Sequence, residues 1–220
     1  MRPARRPQIL ALALAVAGAA CAATHRTPFD AMEYPGALLP AQTMPDDVVW
    51  QQRVTATWGL AGGEPGERGF DAAIQKQGDA LTVLGLSPMG SVGFAMILRG
   101  TTIEVQNHAE QEPPFPARFV LLDVQRTFYP WLGAPLANGQ RTGVVGDEEI
   151  TERWANGRLM HRTFTRRDGK PAGTIAVTYD WRDDDARDRL APSRTVLDNG
   201  WFAYRLAVDT HRETKLPPPR

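Results

Sequence analysis

Cys21 is the only cysteine in the 220-residue chain, and its surroundings point to one chemistry. Val16-Ala17-Gly18-Ala19-Ala20 precede it, small residues that let a peptidase thread the backbone. Cleavage before Cys21 would leave its thiol at a new N-terminus as an acylation site. Upstream, Met1 to Pro7 carries Arg2, Arg5 and Arg6 with no acidic residue, and Ile9 to Ala20 is an unbroken run of Ile, Leu, Ala, Val and Gly. A basic start followed by about a dozen apolar residues is a secretory signal, too short to span a bilayer stably. Residues 1–20 are therefore expected to be a signal peptide and Cys21 the point of lipid attachment. Gly18 stands where a lipobox usually has Leu; the alternative is an ordinary cut near Ala23 that discards Cys21. An exported chain keeps a lone thiol at a risk unless that thiol is consumed, which supports the lipid reading. Ala22 follows in place of Asp, so the retention rule of enteric bacteria sends the product on to the outer membrane, facing the periplasm. Several acyl chains anchor stably where one alone does not.

Other chemistry finds little support. His25, His108, His161 and His211 are far apart, without the paired spacing that lets two imidazoles share a zinc ion. Ser87, Ser91 and Ser193 lie outside any Gly-x-Ser-x-Gly elbow. The acidic runs Asp147-Glu148-Glu149 and Asp183-Asp184-Asp185 could in principle hold a hard cation, but both fall where hairpin ends are expected and read as solvated turns. The glycines between Gly59 and Gly69 do not join a strand to a helix, so they form no phosphate cradle. No catalytic residue, metal site or cofactor is expected, and the chain reads as a non-enzyme.

Composition narrows the partners. Loss of residues 1–20 takes three arginines, so 25 basic side chains become 22 against 25 acidic ones. A near-neutral balance without a basic run argues against nucleic acid. A hydrophobic content of 42% supports a real core in one domain. Pro28, Pro35, Pro40 and Pro45 punctuate a stretch rich in Ala and Thr. Residues 21–47 accordingly read as the lipidated N-terminus and a flexible tether, 48–210 as the domain, and 211–220 as a disordered Pro-rich tail.

The domain is dominated by period-two alternation. Trp50, Gln52, Val54, Ala56 and Trp58 share one face of a strand; Phe70, Ala72 and Ile74 alternate in a second. Ala80 to Leu86 is apolar on both faces and reads as central. Pro88-Met89-Gly90 turns into the alternation of Val92, Phe94, Met96 and Leu98, and Thr101 to Asn107 follows. Pro116 and Pro130 bracket one helix with Val120, Leu121, Val124, Phe128 and Trp131 on a stripe and Arg118, Asp123, Gln125 and Arg126 opposite. Asn156-Gly157, Asp168-Gly169 and Asn199-Gly200 then mark hairpins. The expected fold is mainly β: an incomplete antiparallel β-barrel of about 9–11 strands enclosing one or more helices.

The segments W-Q-Q-R-V-T-A-T-W (50–58), L-T-V-L-G-L-S-P-M-G-S-V-G-F-A-M-I-L (81–98) and F-V-L-L-D-V-Q-R-T-F-Y-P-W-L (119–132) make the chain resemble the LolA/LolB-like outer-membrane lipoproteins. It looks closer still to a lipoprotein family often encoded beside aryl-polyene pigment and fatty-acid-type synthesis genes. The resemblance spans residues 48–208, most specifically 79–132. It implies a half-barrel around a cavity that accepts acyl chains, with the Ser87–Gly90 turn matching a protruding Pro-Leu-Gly-like turn.

On that reading the cavity would be lined from the strands by Trp50, Val54, Trp58, Val83, Phe94, Met96, Leu98 and Val105, and from the helix region by Phe119, Val124, Phe128 and Trp131. Pro88 and Met89 would protrude toward membrane or incoming ligand. The expected function is an outer-membrane lipoprotein that binds or passes on a hydrophobic acyl-type ligand such as a lipoprotein acyl chain, a lipid or a polyene, with a periplasmic carrier protein as a further partner. The alternative is a structural or assembly lipoprotein that binds another envelope protein. An accessory enzyme would need a polar cluster inside the cavity, which sequence patterns do not reveal.

Overall fold

A computed structural model describes residues 33–59, 65–87, 89–108, 115–182 and 189–217. Cys21, Pro88 and the Asp183–Asp185 run lie outside these. The described chain is one antiparallel sheet, one α-helix and a single 3-10 turn (Ala41–Thr43): β1 (Val48–Trp58), β2 (Gly66–Gln77), β3 (Ala80–Leu86), β4 (Val92–Arg99), β5 (Thr102–Asn107), α1 (Ala117–Phe128), β6 (Gly139–Val145), β7 (Glu148–Ala155), β8 (Arg158–Arg166), β9 (Thr174–Asp180), β10 (Arg194–Asn199) and β11 (Tyr204–Lys215). The strand order is β5-β4-β3-β2-β1-β11-β10-β9-β8-β7-β6. Two meanders are thus fused where the first long strand pairs with the last, and the two edge strands are the ones that flank α1 in sequence. The helix crosses the concave face of a mainly β, open half-barrel.

The sheet curls because its pairing permits it. The register slips between Gln51 and Gln52, between Gly85 and Leu86, and between Arg153 and Trp154, and such bulges bend a strand and increase its twist. Two of the glycines that face an aromatic across strands are in close contact with it, Gly66 opposite Trp58 and Gly85 opposite Phe94. In each pair the ring lies on the glycine, and a methyl there would overlap it. At the β7–β8 hairpin Asn156 (φ 53°) and Gly157 (φ 75°) both take the left-handed conformation a two-residue turn requires.

Two boundaries differ from the sequence reading, and one strand has no signal in it. Residues 33–47, expected within a flexible tether, form a strap packed on the helix: Tyr34, Leu38, Ala41 and Met44 are buried. Helix side chains bond five of its backbone groups. Gln125 accepts from Leu39 N at 2.8 Å and donates to Leu39 O at 2.7 Å, Arg118 donates to the carbonyls of Tyr34 and Gly36, and Arg126 to that of Pro35. Proline-rich chain lacks donors for a ladder, but it can cover a surface that supplies them. The domain also runs past residue 210, because β11 continues to Lys215 opposite Val48. Finally, β6 carries no apolar alternation, and its pairing with β7 supplies what its own sequence does not.

Candidate functional site: an apolar slot between helix and sheet

The Pro116–Pro130 bracket produces α1 as expected, but not its expected surroundings. Every residue from Leu121 to Thr127 is buried, together with Phe119. Seven consecutive residues span nearly two turns, so the helix is enclosed on all sides. Asp123, Gln125 and Arg126, expected on a solvent face, are interior; Arg118 is half-buried. The strap covers the face that periodicity assigned to water.

Those polar groups are matched one by one. Tyr34 and Tyr204 both donate their hydroxyls to the Asp123 carboxylate, and Asn199 Nδ2 donates to Tyr34 Oη at 2.7 Å. Burial pushes the Asp123 carboxyl up to about 6, against hydrogen bonds from Tyr204 and Tyr34 and the nearby Arg126, which pull it down. Arg126 donates to Glu148 at 2.9 Å, and its guanidinium carbon sits 4.6 Å from the Tyr34 ring centre, 5.0 Å from that of Trp201 and 5.4 Å from that of Phe164. Its Nε and Nη1 find no hydrogen-bond acceptor; the rings stand in for one. Glu148 is therefore no solvated turn residue: it is 3% exposed and neutralises an interior cation. Glu152 is held by Arg162, Arg141 and the Trp154 indole.

Between α1 and the middle of the sheet lies an apolar slot of about 70 Å³. Its roof is Val120, Asp123, Val124, Thr127 and Phe128, with Phe115 ahead of the helix. Its floor is the inward face of β1, β2, β3, β10 and β11, including Gln52, Val54, Phe70, Ala72, Val83, Leu197 and Val208. Val54, Ala72 and Val208 form an apolar cluster of their own, flanked by Phe70 and Leu206 and separate from the main core. Roof and floor thus face each other without fully interlocking. Asp123 is the sole charged residue of the lining, and its oxygens already accept from two tyrosines. Thr195 Oγ1, also on the lining, is buried without a hydrogen-bond partner.

Residues 49–212 match the profile of a family described as "Protein of unknown function (DUF3261)". The chain belongs to that family. No curated protein matches the sequence. Among solved structures, the DUF3261 chain is similar to a LolA superfamily protein from Nitrosomonas europaea, at 11% identity over 82% of this chain and 91% of that one, with a TM-score of 0.46. It is also similar to a domain named for outer membrane lipoprotein sorting from Vibrio parahaemolyticus, at 9% identity over 80% and 87% of the two chains and a TM-score of 0.40. At such identity and overlap the likeness carries nothing about ligand or partner.

Of the cavity residues expected from the DUF3261 sequence, Val54, Val83, Val124 and Phe128 line the slot. Trp50, Met96, Leu98 and Phe119 lie in the packed main core, with Trp58, Phe94 and Trp131 half-buried against it. Val105 is 48% exposed on β5, an edge strand with no neighbour on its outer side. Met89 is 95% exposed on the β3–β4 turn. Residues missed by the sequence reading, such as Phe70, Ala72, Leu206 and Val208, share the floor because β1 pairs with both β2 and β11. Val54, for example, lies opposite Phe70 on one side and Val208 on the other. Alternation on each strand was visible, but which strands are neighbours was not. The polar cluster that sequence patterns did not reveal is present, though its members bond to one another. Among the described residues no group of His, Cys, Asp or Glu could hold a metal, and no helix is long and apolar enough to cross a membrane.

Proposed function

We propose that this protein binds a hydrophobic acyl-type chain in the slot between α1 and the sheet, at the periplasmic face of the outer membrane to which Cys21 is lipid-linked. The observation that carries the reading is the apolar gap separating the Val54–Ala72–Val208 floor from the helix. A guest there gains about 0.8 kcal/mol for each methylene removed from water, without any reacting group. A lipid, a polyene or a lipoprotein's acyl chain would satisfy that chemistry, and a periplasmic carrier could deliver or collect it. Binding is the better reading than catalysis because the one carboxylate on the lining is already engaged.

Val124→Phe would fill the slot from the roof. Native mass spectrometry and displacement of a fluorescent acyl probe should show uptake by the purified protein and at least a tenfold loss in the variant, with unfolding cooperativity retained. A protein of bare mass that takes up no probe would remove this reading. It would favour an assembly lipoprotein with a filled interior, to which one observation already inclines: the slot has about half the volume of the ~150 Å³ apolar cavity that accepts benzene in an engineered protein. Anchoring is tested separately. Labelled palmitate should be incorporated into the wild type and not into Cys21→Ser, and labelling of both or of neither would contradict lipid attachment at Cys21.

A further inference from the structure

A second space adjoins the slot at the C-terminus of α1. Thr127 and Phe128 line it, and the same two residues line a surface groove of about 420 Å³ on their far side. Phe128 is half-buried, with its ring 4.6 Å from that of Trp50, and forms the partition between the two spaces. Small-molecule sites occupy about 300–1,000 Å³, so the slot is too small for a whole acyl ligand while the groove is large enough for the rest of one. The groove is walled by Trp154, Trp181, Leu159 and Leu190.

Its charge is lopsided. Arg141, Arg158, Arg162 and Arg189 line it against Asp46 and Glu152. Two of those arginines share the one buried carboxylate: Arg141 approaches Glu152 to 2.6 Å and Arg162 to 2.7 Å. The C-terminal carbonyls of a helix normally repel anions, but here Arg162 Nη1 donates to the carbonyls of Arg126 and Thr127 at 2.7 and 3.4 Å. Arg158 lies 5.1 Å from the Trp181 ring centre and Arg141 5.5 Å from that of Trp154, stacked guanidiniums held at the groove wall. A planar guanidinium presents a fork of donors suited to carboxylate or phosphate. The other large groove, beneath the strap, combines Glu33, Asp147 and Glu148 with Arg166 and Lys170 and shares no lining residue with the slot.

We infer that the ligand is an anionic amphiphile, its chain threaded past Phe128 into the slot and its carboxylate or phosphate head among the arginines of the groove. The inference rests on the slot being an acyl site. Four dodecyl probes of equal chain length separate the two claims: dodecanoate, dodecyl phosphate, dodecanol and dodecyltrimethylammonium, each titrated into the purified protein below its micelle concentration. Either or both anions should bind about tenfold or more tightly than dodecanol, as a charge-assisted hydrogen bond implies. The preferred anion identifies the head as carboxylate or phosphate. The ammonium probe should bind most weakly. Arg158→Gln should reduce anion affinity about five- to tenfold and Arg158→Glu further, with dodecanol unchanged in both, which also reports an intact slot. Equal affinity for anion and alcohol, or equal loss of both in the Arg158 variants, overturns the anionic head and leaves the slot reading standing. Failure of all four probes to bind removes both.

Discussion

Asp123 should make the protein more stable as the solution is acidified from neutrality. Its carboxylate is 4% exposed, and burial raises its pKa to about 6 from an ordinary 3.8. The native state therefore holds a proton on Asp123 between about pH 4 and pH 6 that the unfolded chain releases. Stability from this group is fully present below the unfolded value and lost as pH rises through 6. The span from 3.8 to about 6 corresponds to about 3 kcal/mol, of which about 2 kcal/mol should be in place by pH 4.5. Asp47 acts in the opposite sense but in a lower window: its bond from Lys76 depresses its pKa below 3.8, so that contribution is lost only in stronger acid. Urea unfolding followed by tryptophan fluorescence at pH 7, 6, 5 and 4.5 measures the sum. The difference between wild type and Asp123→Asn isolates the single site, because asparagine keeps the shape and one acceptor but cannot titrate. That difference should grow in favour of the wild type by about 2 kcal/mol between pH 7 and pH 4.5. A flat difference would refute the reasoning, since it would mean that Asp123 titrates alike in the folded and unfolded chains.

Two further predictions concern the frame around the slot. Gly85→Ala should cost about 1–3 kcal/mol, the price of forcing the Phe94 ring off its seat, and Phe94→Leu in the same chain should restore part of it; equal loss in the single and double variants would show that the ring is not responsible. Glu148→Gln should destabilise by about 3–5 kcal/mol, because it leaves Arg126 charged and buried at 0% exposure. Chemical denaturation of the double variant Arg126→Met with Glu148→Leu should show most of that recovered, and a double variant as unstable as the single one would contradict the desolvation argument.

The readings that survived in the structure are those with local physical causes. The Trp50–Trp58 alternation, the proline bracket of α1 and the Asn156-Gly157 hairpin each reflect a backbone period or a dihedral preference that a few residues express unaided; Asn199-Gly200 does not, since Gly200 takes no positive φ and the positive φ of that loop falls on Ala203. Readings of burial failed where a distant segment decided the environment. Asp123 and Arg126 occupy the polar stripe of an amphipathic pattern, and α1 read alone would turn them to water. Tyr34, 89 residues from Asp123 in sequence, covers them instead.

By itself, then, the sequence determined the strand-rich class and the place of the helix, because these depend on neighbours within a few positions. Tertiary structure decided three things that no local pattern encodes. Pairing of β1 with β11, between 146 and 167 residues apart, set which side chains share the slot floor. The strap converted a solvent face of α1 into a buried one, and with it turned Glu148 from a turn residue into the partner of an interior arginine. The end of α1 brought Phe128 between an apolar gap and a cluster of arginines drawn from β6, β8 and the segment before β10. A side chain's partners across the fold depend on which surfaces meet, and that is fixed only when the whole sheet has curled around its helix.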